Sequence, residues 1–271
     1  MQAAIIGADG GMGQWFTRHL KRLGYAVNSF DERRGDDSST LSTFDFVVVS
    51  VPISVTAETI RKTAKHMKHG ACLMEIASLK AGIHGAMIDA ASQGVDVLSV
   101  HPMFGPSTDG LADKTVAVVP VVDAEHEVHT ASDLFSGAQI EVVDAEEHDR
   151  LMSVILSMPY LINLAFAATL RDEDLPLLRK LSGTSFATQY ALSQSITSEQ
   201  SNLCYSIIQN NEALNASLDK FLTSIQEIRE INNLSEFESL HSGIKGVFEK
   251  DPLHKQGIDI RQRALELIKT E

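Results

Sequence analysis

Hydrophobic residues along this chain follow two different periods, and the change from one to the other divides it. From Met1 to about Asp144, short β-rich apolar runs alternate with amphipathic stretches. The runs are Ala3 to Ile6, Ala26 to Phe30, Phe46 to Val51, Cys72 to Ile76, Val95 to Val100, Val116 to Val119 and Ile140 to Val143. Runs that are apolar at every position suit strands of a parallel sheet buried on both faces. The stretches between them read as crossover helices; Val55 to Lys68 is closed by Gly70, which predicts a C-terminal glycine cap. The polar stretch Asp31 to Thr43 predicts a surface loop with room for a short helix. This half is expected to be a doubly wound α/β domain.

Past Val143 the period becomes 3.6. Asp144-Ala-Glu-Glu147 has the form of a helix-capping box, and almost everything beyond it is helical in pattern. The boundary is therefore placed to give a domain of residues 1–144 and an all-helical domain of residues 145–271. Within the second, Leu214, Leu218, Phe221, Leu222, Ile225 and Ile228 form one stripe, suited to packing inside the domain or to a subunit interface.

Composition narrows the partners. The chain has 271 residues, of which 44% are hydrophobic, enough for two cores, and carries a net charge of -13. With no basic run to track a phosphate backbone, nucleic acid is not an expected partner. Cys72 and Cys204 lack metal-ligand or redox spacing and read as free buried thiols, so no metal site is expected. The chain runs from Met1 straight into an apolar strand, and no apolar run reaches about 18 residues. A soluble, cytoplasmic protein without a membrane partner is the expectation.

The first run leads into Gly7-Ala8-Asp9-Gly10-Gly11-Met12-Gly13 and then the helical Gln14 to Leu20. In a G-x-G-x-x-G frame the three positions are Ala8, Gly10 and Gly13, with alanine in place of the first glycine. Strand, glycine turn and helix in this order are the dinucleotide-binding unit of a Rossmann-type domain. Gly10 admits the pyrophosphate, Gly13 admits close packing, and the helix N-terminus offers amide donors. Asp31 follows the second strand, where a carboxylate can accept hydrogen bonds from the adenosine ribose; this favours NAD. Arg33 and Arg34 come next and could instead reach the 2′-phosphate of NADP, or belong to a solvated loop.

Three further segments fall at carboxyl ends of strands, where open α/β sheets bind ligands: Ser50-Val51-Pro52-Ile53-Ser54, Ala77-Ser78-Leu79-Lys80 and His101-Pro-Met-Phe-Gly-Pro-Ser107. His101, with a near-neutral intrinsic pKa, is the candidate general base, with a structural histidine as the competing reading. The segment His101 to Pro106 resembles the signature of prephenate and arogenate dehydrogenases. The likeness extends through Gly7 to Gly13, Ser50-Val51-Pro52, Ser78-Leu79-Lys80 and Glu147-His148-Asp149 in the same order, and thins beyond Pro159.

The resemblance implies a Rossmann domain followed by a helical dimerisation domain, and hence a homodimer. It implies oxidative decarboxylation of prephenate to 4-hydroxyphenylpyruvate, a step of tyrosine biosynthesis, or of arogenate to the corresponding amino acid. Hydride passes to the nicotinamide, His101 accepts the hydroxyl proton, and Ser78 hydrogen-bonds near both; no metal is needed, because aromatisation of the ring drives loss of carbon dioxide. Ser78 is equally suited to a helix cap. A nicotinamide-binding sensor on the same scaffold, without turnover, is the alternative from another class.

This sequence also departs from the family. The resemblance places His148 and the position twelve residues on at the substrate, but that second position is Tyr160 instead of histidine. The family's substrate-binding arginine maps to Leu181 through Ile196, and no Lys or Arg occurs from Leu181 to Asp219. Lys80, together with the hydroxyl-rich stretch Ser182 to Ser195, is the expected replacement; stapling a loop to a backbone carbonyl is the structural alternative for Lys80.

Overall fold

Each of the apolar runs in the first half becomes a strand: β1 (Gln2–Ile6), β2 (Ala26–Phe30), β3 (Phe46–Val49), β4 (Cys72–Glu75), β5 (Asp96–Pro102), β6 (Thr115–Val118) and β7 (Gln139–Val142). The computed structural model describes residues 1–31, 38–253 and 256–269. The strands lie in one seven-stranded sheet in the order β2-β1-β3-β4-β5-β6-β7. From β2 through β5 all neighbours are parallel, with Ala3 beside both Val27 and Phe46, and Cys72 beside Asp96.

Strand residues alternate between faces, and here both faces are covered. Ala4, Ile6, Val47, Val49 and Leu73 turn to one side, where α2 (Ile53–Ala64) and α3 (Ile83–Ala91) bring Ile60, Ala64, Ile83 and Met87. Ala3, Ile5, Phe46, Val48 and Met74 turn to the other. There α1 (Gly11–Arg22) brings Trp15, Phe16 and Leu20, and α4 (Ala124–Leu134) brings Ala131 and Leu134. Double coverage is the reason the strands read as continuous apolar runs instead of alternating ones.

Two local expectations are corrected. The sheet is not wholly parallel: β6 runs antiparallel to β5, with His101 opposite Ala117, and β7 then runs parallel to β6. The link 103–114 contains no crossover helix, so the chain folds straight back. Gly70 does have a left-handed φ of 71°, but α2 ends at Ala64, so this glycine shapes the turn into β4 and is not a helix cap. The short helix foreseen between Asp31 and Thr43 is a 3-10 helix over Ser38–Thr43.

The strands and helices up to α5 (Ala145–Met152) belong to one compact unit, Met1–Met152 with Gln209–Asn211. The half-formed capping box starts α5: Asp144 accepts from the Glu147 N–H at 2.9 Å, while the Glu147 carboxylate goes to Arg150. The second unit, Ser153–Ile208 with Glu212–Glu271, opens with a π turn, Ser153–Ser157. Helices α6 (Met158–Thr169), α7 (Leu175–Leu181), α8 (Thr184–Thr197), α9 (Ser201–Gln209), α10 (Leu214–Glu230), α11 (Leu234–Phe248) and α12 (Gln256–Lys269) follow. Phe166 of α6 meets Phe186 of α8, which stacks on Tyr190. The α10 stripe is buried at Leu214 but exposed at Leu222, Ile225 and Ile228, and Phe237, Ile244 and Val247 of α11 are exposed as well. The apolar-run expectation also needs amending. The helical run Ala145–Thr169 is long and apolar enough to cross a membrane by length and composition, no charge falling between Arg150 and Arg171.

Candidate active site

The strand order reverses between β1 and β3, and the carboxyl edge at that point is where sheets of this kind bind nucleotides. Gly7 leaves β1 with φ of 83°, and a Cβ on it would lie 2.1 Å from the Ser50 carbonyl oxygen. The tight turn therefore requires glycine at 7, which is why the buried Ala8 is tolerated at the next position. A Cβ on Gly13 would stand 2.2 Å from Gly7 O, so glycine there lets α1 approach its strand. At Gly10 a Cβ would meet only Gly7 O, at 3.3 Å. The protein's own packing leaves space over Gly10. Helix α1 starts at Gly11 with no capping side chain and no acidic residue in its first turn, so its amides are available to an anion. Met12 packs on the core beneath, and the Asp9 carbonyl accepts from Gln14 Nε2 at 3.0 Å. Asp31 is buried at the exit of β2, and Val51 and Pro52 leave β3 into α2. These residues fit a diphosphate-linked dinucleotide. Arg33 and Arg34 lie outside the described residues.

The segment after β5 is packed onto this loop. A Cβ on Gly11 would lie 3.0 Å from Pro106 Cγ. Trp15 Nε1, Arg18 and Arg22, close to one face of α1, donate to the carbonyls of Thr108 (2.7 Å), Pro106 (3.2 Å) and Asp109 (3.2 Å). Helix α1 thus ties the His101 segment to the nucleotide loop.

Strand β5 continues through His101 and Pro102, beyond the apolar run, because both pair with β6. Alternation puts Ser99 and His101 on one face with Glu75 of β4 alongside. His101 is 6% exposed, and its Nδ1 lies 3.1 Å from His148 Nε2; His148 Nδ1 lies 2.8 Å from Asp149 Oδ1. Asp149 also accepts from the N–H groups of Lys80 and Ala81, each at 2.8 Å, and its backbone carbonyl accepts from Asn211 Nδ2 at 3.0 Å. Beneath, Lys80 Nζ donates to Glu75 Oε1 (2.6 Å) and to the Val100 carbonyl (2.8 Å), and Ser99 Oγ donates to the same Glu75 oxygen.

Burial, then the Lys80 ammonium and His148, hold the His101 pKa well below its ordinary 6.5, so the ring is neutral at pH 7. Burial pushes Asp149 upward, but the bonds from His148 and from the Lys80 and Ala81 amides outweigh it and hold the carboxyl below its usual range. Burial lowers Lys80, against the opposing pull of Glu75. His101 Nε2 makes no hydrogen bond among the described residues, yet no buried side-chain nitrogen or oxygen there lacks a partner. Nε2 is therefore not sealed from the surface.

Several sequence-expected roles change. His148, expected at the substrate, is fully buried, with its ring between that of His101 and the Asp149 carboxylate. Lys80 is fully buried, and its ammonium donates to Glu75 and to the Val100 carbonyl, so it staples the loop and presents no surface to a substrate carboxylate. Ser78 is half-buried and makes no hydrogen bond to His101 among the described residues, the ring's Nδ1 being occupied by His148. Tyr160 lies on α6, where burial, Glu199 and Cys204 push its phenol up to about 12, leaving a neutral donor. The hydroxyl-rich stretch is largely satisfied internally: Ser182 donates to Arg179 O, Thr188 to Thr184 O, and Gln189 and Ser193 to Asn163 Oδ1. Arg261 of α12 donates to Ser185 Oγ at 3.4 Å, bringing a guanidinium to a stretch without one of its own. Asp149 and Glu75 are the residues sequence reasoning missed. Adjacent helix residues do not ordinarily face each other, so His148 and Asp149 gave no sign of pairing.

Comparison with known proteins agrees with this geometry. The profile of the prephenate dehydrogenase nucleotide-binding domain matches residues 18–143, and that of the prephenate dehydrogenase dimerization domain matches residues 144–246. The glycine turn precedes the matched segment and stands on its own geometry. A probable arogenate/prephenate dehydrogenase of Methanocaldococcus jannaschii is 29% identical over 254 residues, covering 84% of this chain and 56% of that protein. The T-protein of Enterobacter agglomerans is 28% identical, covering 80% and 58%. The chain thus spans a little over half the length of these relatives. A 4-amino-4-deoxyprephenate dehydrogenase of Streptomyces pristinaespiralis is 27% identical over 271 residues, covering 91% and 90%. Among solved structures, prephenate dehydrogenase from A. aeolicus, in complex with hydroxyphenyl propionate and NAD+, has the same fold. Its TM-score is 0.72 at 20% identity, covering 92% of this chain and 96% of that one.

Proposed function

The chain belongs to the prephenate dehydrogenase family, and on that premise we propose that it oxidatively decarboxylates prephenate, with NAD as cofactor and His101 as general base. The observation that carries this reading is the His101 ring, buried and neutral, with Nε2 not sealed from the surface and free of hydrogen bonds among the described residues, on a strand whose outgoing loop is packed against the uncapped nucleotide helix. A bound nicotinamide supplies the hydride acceptor for C4 of the ring. His101 Nε2 takes the proton of the C4 hydroxyl as the carbonyl forms, and the ring carboxylate leaves as carbon dioxide when the ring aromatises. The amides of Gly11 to Gly13 hold the diphosphate and Asp31 the ribose hydroxyls, which favours NAD over NADP. Val51 and Pro52 border the nucleotide, and Ser78 serves the substrate as a neutral donor. The exposed apolar residues of α10 and α11 fit burial in a homodimer.

Arogenate, with an amine in the side chain, presents the same C4 hydroxyl and is the alternative substrate within the family. A second reading comes from the Streptomyces relative, which this chain matches over nearly its whole length: a 4-amino group would offer its proton to the same Nε2. His101→Asn should lower kcat by about 10²–10⁴-fold while NAD affinity is unchanged, measured by steady-state turnover and nucleotide titration. Turnover close to wild type would remove His101 from the chemistry.

A further inference from the structure

The three side chains behind this Nε2 form a chain of defined polarity. Asp149, held ionised, has only acceptors, so the 2.8 Å contact requires His148 Nδ1 to carry the proton. A neutral His148 then has its lone pair on Nε2, and the 3.1 Å contact requires His101 Nδ1 to be the donor. That leaves the His101 lone pair on Nε2, an atom not sealed from the surface. The orientation of Asp149 is itself fixed by the amides of Lys80 and Ala81, and its backbone by Asn211.

We propose that Asp149 and His148 are positioning residues that hold His101 as its Nδ1–H tautomer, so that Nε2 always offers a lone pair to the substrate proton. The proposal rests on the reading of His101 as the base. Without the relay, a neutral imidazole would be free to place its proton on Nε2, and such a ring cannot accept one there. The relay acts on the charged state as well. When His101 becomes cationic its Nδ1–H still meets an acceptor, and the Asp149 carboxylate, one ring away, stabilises the new positive charge. The other ionisable groups facing this cluster are Lys80 and Glu75, which are paired with each other. They leave the Asp149 charge available to the imidazoles.

The test is selective ¹⁵N labelling of histidine in the full chain, with two-bond proton–nitrogen spectra assigned by the signals lost in His101→Asn and His148→Gln. In the wild type both rings should be Nδ1–H tautomers, the less common form of a free imidazole. Asp149→Asn keeps an oxygen for the Lys80 and Ala81 amides but turns an NH₂ toward His148 Nδ1. Both rings should then switch to Nε2–H, and kcat should fall by about 10²–10⁴-fold at unchanged NAD affinity. His148→Gln, whose amide oxygen can still accept from His101 Nδ1–H, should keep most of the turnover, whereas His148→Leu should lose it. A wild-type His101 found as Nε2–H, or an Asp149→Asn protein with unchanged tautomers and kcat, would overturn the proposal. If instead His101→Asn stays active while the tautomers are as stated, the relay stands and the base assignment falls.

Discussion

At the scale of single residues, the sequence singled out His101 and Asp31 as candidates because each follows an apolar run that could be read directly. It could not show what surrounds them. The His101–His148 contact spans 47 positions, and the partner of His148 is its immediate neighbour, a pairing that helical spacing does not suggest. The surroundings have a measurable consequence. Burial, Lys80 and His148 hold the His101 pKa below 6.5, and the proposed base works only when neutral. The acidic limb of kcat/KM should therefore lie below pH 6.5, with activity flat from there to neutrality; a limb at or above 6.5 would mean the ring is not in this environment. Asp31 carries the second residue-scale prediction. Wild-type kcat/KM should be higher with NAD than with NADP, and Asp31→Ser should narrow or reverse that ratio by removing repulsion of a 2′-phosphate. A wild type that prefers NADP would contradict the role given to this carboxylate.

At the scale of elements, all seven strands were legible, since a strand covered on both faces writes its whole length in apolar residues. The direction of β6 was not, because an antiparallel strand covered on both faces leaves the same pattern. Only the helix-free link 103–114 distinguishes the two cases. Lys80 shows the same limit for a side chain. A lysine beside a candidate site reads as a ligand for an anion, but the turn after β4 folds it inward to Glu75 and the Val100 carbonyl. Lys80→Met would leave the Glu75 carboxylate buried without its cation. The expected cost is about 3–5 kcal/mol, seen as a Tm lower by roughly 10 °C, with turnover and stability lost together. A variant that keeps its Tm and shows only a raised KM for the substrate would restore Lys80 as a substrate contact.

At the scale of the molecule, the change of hydrophobic period foretold strands and helices followed by helices alone, the order the chain shows. Apolar residues left exposed on α10 and α11 record a surface that the single chain does not cover, which the stripe from Leu214 to Ile228 announced without saying what would cover it. Substrate identity was the least legible property, because the family's arginine position is empty in this sequence and Arg261, which reaches the same helix, is 76 residues from its contact. The central claim is oxidative decarboxylation at His101. Its most direct measurement incubates the full chain with NAD and, in separate reactions, prephenate, arogenate and 4-amino-4-deoxyprephenate, recording reduced nicotinamide and carbon dioxide together. The account predicts that both products form in equal amounts with prephenate and that His101→Asn abolishes nearly all of both. A folded, NAD-binding chain that reduces no nucleotide with any of the three would contradict it and leave a nicotinamide-binding sensor in its place.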